Sequence, residues 1–126
     1  MERSKRNKTI LLLPEEREKY GSLLVRDAAR LGRAPFVDLT IRMDLFEALP
    51  LLQKGSVDLL FADPPYNMAK KFGDASFAPM ENGEYARFLD SWLALAAPLL
   101  KPNASVYVCG DWRSAGALQE VLSKRF

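Results

Sequence analysis

The sequence predicts an α/β fold from three observations. Short runs rich in valine, isoleucine, leucine and phenylalanine alternate with longer stretches of helical period, proline, asparagine and glycine punctuate the joins, and no segment repeats. Thr9–Leu13 is a short apolar run that reads as a strand or an extended arm. Pro14 suits a first helical position, where its missing N–H is no loss. From Glu15 to Leu31 a helix places Tyr20, Leu24, Ala28 and Leu31 on one face, with Gly32 as the stop. Phe36–Ile41 is β-branched and aromatic enough for a strand. Asp44 caps a short helix over Leu45–Gln53, Glu47 closes a capping box, and Pro50 limits the length. Val57–Ala62 reads as a buried strand.

Met68–Gly83 fits neither period. It mixes Lys70, Lys71, Gly73, Asp74, Pro79 and Gly83 with Phe72 and Phe77, and reads as a loop, either a flap over a substrate or a surface excursion pinned by its phenylalanines. In the flap reading Lys70 and Lys71 reach backbone phosphates. Asn82 then caps a helix whose Tyr85, Phe88, Leu89, Trp92, Ala96 and Leu99 form a core stripe, ended or bent at Pro98. Lys101-Pro102-Asn103 turns the chain into a second buried strand, Ser105–Cys109. A last helix over Arg113–Lys124 offers Leu118, Val121 and Leu122 to the sheet.

Composition narrows the chemistry. A chain of 126 residues, 48% hydrophobic, allows one domain with a small core. A formal charge of +2 does not by itself argue for nucleic acid. Arg3, Lys5, Arg6 and Lys8 make a basic tail, which either touches phosphates or is a solvated terminus. The single cysteine, Cys109, excludes an internal disulfide and reads as a small buried hydrophobe. With no histidine, imidazole catalysis is excluded and no metal site is expected. No apolar run reaches about 18 residues and no signal-peptide pattern stands at the start, so a cytoplasmic chain with no membrane segment is expected.

The most informative segment is Phe61-Ala62-Asp63-Pro64-Pro65-Tyr66-Asn67. Two prolines after a strand end its ladder, because neither has an N–H to donate. Each also holds the residue before it extended, so Asp63 and Pro64 form a stiff lip at the strand's carboxyl end, the edge where open α/β sheets bind ligands. A carboxylate and a proline carbonyl one residue apart can both accept from one amino group. Tyr66 can stack on the flat ring that carries it, as enzymes acting on flipped bases require. Asn67 either fixes the substrate or satisfies the turn's backbone.

Asp63-Pro64-Pro65-Tyr66 resembles the catalytic motif of the bacterial DNA amino-methyltransferases, the modification methylases of adenine N6 or cytosine N4. The likeness extends from Met43-Asp44 through Gly55-Ser56-Val57-Asp58 to Leu100-Lys101-Pro102-Asn103-Ala104-Ser105-Val106-Tyr107-Val108, about residues 37–126. It implies a partial Rossmann-like methyltransferase sheet with flanking helices. It also implies S-adenosyl-L-methionine as cofactor, double-stranded DNA as partner and a role in restriction-modification.

Asp63, Pro64, Pro65 and Tyr66 are then the catalytic residues. Asp44 lies near the cofactor's adenosine, or serves only as a helix cap. Asp111 and Trp112 line the target-base pocket, or Asp111 caps the last helix. Adenine is preferred, since similar cytosine enzymes more often begin the motif with serine; cytosine N4 and an RNA base are the alternatives. The expected organisation is an extension over residues 1–35 and a catalytic part over 36–126. No Gly-x-Gly turn follows any strand, so the glycine loop of the cofactor half is expected to be lacking, and the resemblance implies that the target-recognition region is lacking with it. The expectation is therefore a methylase portion, either active or dependent on a missing C-terminal half or second subunit.

Overall fold

A computed structural model describes residues 11–31, 37–72 and 75–126. It falls into two compact units, Met1–Met43 and Asp44–Phe126. Among the described residues no helix is long and apolar enough to cross a membrane.

In the first unit, α1 spans Pro14–Leu23, β1 Leu24–Val25, α2 Ala28–Leu31 and β2 Thr40–Ile41. Pro14 opens α1 as expected, and the Leu13 N–H donates to the Glu16 carboxylate at 2.8 Å. The single helix expected over Glu15–Leu31 is instead broken in two. Leu24–Val25 leaves it to pair in parallel with Thr40–Ile41, and Asp27 restarts a helix by accepting from the Arg30 N–H at 2.7 Å. A two-residue ladder that buries Val25 overrides local helical preference. The expected common face is lost with the break: Leu31 is buried, whereas Tyr20 and Ala28 are exposed.

The strand expected over Phe36–Ile41 shortens to Thr40–Ile41. Phe36 lies outside the described residues, and Asp38 takes a positive φ of 56°, which breaks an extended run and which a short polar side chain tolerates. Gly32, the expected stop, and Arg3, Lys5, Arg6 and Lys8 of the basic tail lie outside the described residues as well.

In the second unit the elements are α3 (Leu45–Ala48), β3 (Val57–Ala62), β4 (Lys70–Phe72), β5 (Ala75–Phe77), α4 (Asn82–Ala96), β6 (Leu100–Val108) and α5 (Ala115–Arg125). Asp44 caps α3 through the Phe46 N–H at 2.9 Å rather than through Glu47. Pro50 ends that helix in a 3₁₀ turn over Leu49–Leu51, and Pro98 ends α4 in another over Ala97–Leu99. The segment expected to be an irregular loop forms an antiparallel hairpin, β4 with β5, pairing Lys70 with Phe77 and Lys71 with Ser76. Three-residue strands are too short for a period of two to show in sequence. Gly73 and Asp74 lie outside the described residues.

The central ladder is β3 with β6, parallel, pairing Leu60 with Val106, Phe61 with Tyr107 and Ala62 with Val108. Its register jumps: Val57 pairs with Leu100 but Leu59 with Ser105. The expected turn at Lys101-Pro102-Asn103 is thus a bulge within the strand, the place where a proline without an N–H does least damage. One face of this ladder sends Leu60, Ala62 and Val108 against the core, built on Leu89, Trp92, Leu93, Ala96, Leu118 and Val121 of α4 and α5. The α4 stripe is core as expected, with Leu89 and Leu93 fully buried and Tyr85 nearly so. Gly110 follows β6, and a Cβ there would meet the tip of the Leu118 side chain of α5, which would have to shift to admit it. The ladder's other face carries Leu59, Phe61 and Tyr107, each more than half exposed, with the Phe61 and Tyr107 rings stacked at 6.5 Å.

Candidate active site

The Asp63–Tyr66 lip begins where β3 leaves its ladder. The Cys109 N–H donates to the Ala62 carbonyl at 2.8 Å, and the two prolines that follow Asp63 have no N–H to continue the pairing. Asp63 is exposed, while Pro64, Pro65, Tyr66 and Asn67 are half-buried.

Two braces hold this segment. The buried Tyr85 on α4 donates its hydroxyl to the Pro65 carbonyl at 3.0 Å. Asn67 clasps Met80 with both ends of its amide: the Met80 N–H donates to Oδ1 at 2.6 Å, and Nδ2 donates to the Met80 carbonyl at 2.8 Å. The amide that sequence gives to substrate or to backbone is thus engaged with backbone thirteen residues away. The lip's two proline carbonyls therefore differ. Pro65 is occupied by Tyr85, whereas among the described hydrogen bonds none ends on the Pro64 carbonyl.

The electrostatics keep both phenols neutral. The Asp63 carboxylate draws on the Tyr66 phenolic proton and holds that group above its ordinary value, with partial burial and nearby negative charge adding to the effect. Burial pushes Tyr85 up, helped by the charge of Asp111. Both rings are uncharged donors at neutral pH, and Tyr66 offers a π-face unburdened by an anion.

Next to the lip lies a cavity of about 450 Å³. Its wall brings together Asp44 and Phe46 at the start of α3, Phe61, Asp63 and Pro64 at the end of β3, and Trp92 of α4. The Trp92 Nε1–H is buried and finds no acceptor among the described residues, an orphaned donor of the kind that a bound group satisfies.

Asp111 and Trp112 do not line this cavity. Asp111 Oδ1 accepts from the Ser114 N–H at 2.9 Å and from Ser114 Oγ at 2.7 Å, and it is chiefly Ser114 that holds its carboxyl below the usual range. That turn leads into α5. Trp112 is 81% exposed, with the Arg113 guanidinium 5.3 Å from its ring centre. Lys70 and Lys71 belong to β4. Among the described residues no three potential ligands converge as a metal site.

A family model described as DNA methylase matches residues 57–125, which include the lip, α4, β6 and all of α5. The chain belongs to the DNA methylase family. This methylase chain is similar to type II methyltransferases. M.HpaI of Haemophilus parainfluenzae is 34% identical over 78 residues, covering 62% of this chain and 24% of that protein. M2.LlaDCHI of Lactococcus lactis subsp. cremoris is 27% identical over 109 residues, covering 74% and 38%. M2.DpnII of Streptococcus pneumoniae is 26% identical over 85 residues, covering 58% and 32%. The methylase chain spans about a quarter to two fifths of the length of these relatives.

Tyr85 is the residue whose part the sequence does not disclose. Spacing puts it on the core stripe of α4 and gives it nothing further to do. A signal is present, since a tyrosine on a buried stripe needs a partner for its hydroxyl. What the sequence lacks is the address, a carbonyl twenty residues upstream on a lip that cannot satisfy itself.

Proposed function

We propose that this chain carries the catalytic clamp of a methyltransferase that moves a methyl group from S-adenosylmethionine to the exocyclic amine of adenine in DNA. The observation that carries the reading is the meeting of Asp63 and Pro64, whose carbonyl has no hydrogen-bond donor among the described residues, with Asp44 on the wall of one cavity. Adenine's exocyclic nitrogen shares its lone pair with the ring. With one N–H directed at the Asp63 carboxylate and the other at the Pro64 carbonyl, a pyramidal nitrogen is favoured and the lone pair becomes available for attack. Tyr66, neutral and two residues on, stacks on the extruded base. The Tyr85 and Asn67 braces keep both acceptors in register, and in a transfer of this kind positioning supplies much of the acceleration.

The residues present fit part of the cofactor. Asp44 Oδ1 is committed to the Phe46 N–H, so its second oxygen is the one to accept from ribose hydroxyls. Phe46 and Phe61 offer apolar surface to the adenine ring. The cofactor, when bound, supplies an electrophilic methyl group. The residues of the lip hold the acceptor amine, and the proton that this nitrogen must shed leaves along its hydrogen bond to Asp63.

A second reading is favoured by the bare outer face of β3 and β6. Parallel sheets are ordinarily covered on both faces, and Leu59, Phe61 and Tyr107 stand exposed on one. On that reading the clamp works only once further polypeptide, in the same chain or a second subunit, covers the sheet.

Two measurements test these readings. DNA from cells carrying the gene, mapped for methylated adenine, should lose the modification by about a hundredfold or more with Asp63→Ala, in line with losing a directed contact to the reacting group; full retention removes Asp63 from the mechanism. Calorimetric titration of the purified chain with S-adenosylmethionine decides between the readings. Micromolar binding supports a self-sufficient chain, and absence of heat supports dependence on a partner.

A further inference from the structure

A second site lies within the first unit and shares no residue with the clamp. Because β1 and β2 run parallel with Leu24 opposite Thr40 and Val25 opposite Ile41, the next positions, Arg26 and Arg42, stand side by side where the strands end. The Arg42 N–H still donates to the Val25 carbonyl at 2.8 Å, which fixes that juxtaposition. Alternation along β1 turns Val25 into the core and leaves Leu24 and Arg26 on the same side. On α1 the positions Arg17, Tyr20 and Gly21 share one helical face with Leu24 beyond them. These residues together wall a groove of about 600 Å³. The Arg26 guanidinium reaches back over α1, 3.6 Å from where a Cβ on Gly21 would sit.

Among the described residues no carboxylate lines this groove and no salt bridge involves Arg17, Arg26 or Arg42. Three guanidinium groups around one concavity repel one another unless an anion joins them, and planar forks match phosphate oxygens in pairs. Tyr20 and Leu24 add apolar surface of the kind a sugar face covers. The charge is segregated to the same end of the chain. Residues 1–43 hold ten Lys and Arg against six Asp and Glu, whereas residues 44–126 hold eight against ten.

We propose that the Arg17, Arg26 and Arg42 groove binds the phosphodiester backbone of DNA. The proposal rests on the reading of the chain as a DNA methylase and adds an interaction that carries no base sequence of its own.

The test is binding of a fluorescent 20-base-pair duplex to the full 126-residue chain across a salt series, without cofactor. The wild-type chain should bind with an affinity that falls steeply with salt. Arg26→Gln with Arg42→Gln should weaken binding on the order of tenfold at 0.1 M salt and flatten the slope of log affinity against log salt by about 0.9 for each phosphate no longer neutralised. Arg26→Lys with Arg42→Lys keeps both charges and should keep most of the slope, which separates missing charge from a damaged fold. Lys54→Gln, an exposed cation of the second unit, should change little.

An unchanged slope in the glutamine variant, no binding by the wild-type chain, or tighter binding of an RNA duplex of the same sequence would each overturn the assignment. Methylation lost with Asp63→Ala reports on the clamp and the salt slope with Arg26→Gln and Arg42→Gln reports on the groove, so failure of the clamp and failure of the groove are read separately.

Discussion

The two units of this chain are stabilised to very different degrees. Residues 44–126 have a continuous core in which Leu89, Leu93 and Tyr85 are almost wholly buried, and both braces described on the Asp63–Asn67 segment start or end within this unit. Residues 1–43 have a two-residue ladder, a first helix with no buried residue, and only Val25 and Leu31 buried among the described positions. The difference shows where each kind of function can reside. A clamp that must hold two acceptors to a fraction of an ångström needs a packed scaffold. A surface that meets phosphates needs only charge and rough shape, and tolerates a sparse one.

The sharpest way to break this contrast is Leu89→Ala against Leu23→Ala. Emptying a fully buried site in the second unit should cost about 2–5 kcal/mol, while trimming Leu23, 63% exposed on α1, should stay within about 0.5 kcal/mol. Chemical denaturation of both variants measures it, and equal losses would sink the contrast. Next in size is Gly110→Ala, which forces a methyl against Leu118 and should cost about 1–3 kcal/mol, read as a lowered thermal midpoint. Tyr85→Phe removes the donor to the Pro65 carbonyl and should cost about 1 kcal/mol. Its larger mark should be a slower methyl transfer with an unchanged cofactor KM.

The smallest effect concerns acid. Arg125, which donates to both oxygens of Asp90, and Lys124 beside it pull Asp90 from its ordinary 3.8 down to about 2. A carboxyl depressed in the folded state stabilises above its unfolded value and loses that contribution as pH falls through the folded one. Stability should therefore decline between about pH 4 and pH 2, and Asp90→Asn should flatten the decline.

Much of the second unit was legible in the sequence because its signals are local and repeated. The α4 stripe recurs over several turns, Pro50 and Pro98 stop helices wherever they stand, and the double proline after Ala62 ends a strand in any setting. The first unit misled for the opposite reason. Tyr20, Leu24, Ala28 and Leu31 do keep helical spacing, yet a short pairing between Val25 and Ile41 outweighed it, and spacing says nothing about a partner sixteen residues away. The hairpin of β4 and β5 was hidden because three residues per strand leave no period to detect. Within the site, the lip was readable and its supports were not. The amide of Asn67 gave no hint that it would reach Met80, whereas the bond from the Ser114 N–H to Asp111 at the entry to α5 is close to the capping role open to it from sequence.

The sequence by itself determined that a rigid, proline-bounded segment would present a carboxylate, two proline carbonyls and an aromatic ring at a strand's end, since backbone stereochemistry at consecutive prolines depends on no distant contact. Only the tertiary structure decided which carbonyl stays free, that Asp44 shares a cavity with Asp63, and that Arg26 and Arg42 stand abreast. Those facts depend on strand register and on where buried donors find acceptors, which emerge only when residues far apart in the chain are packed together.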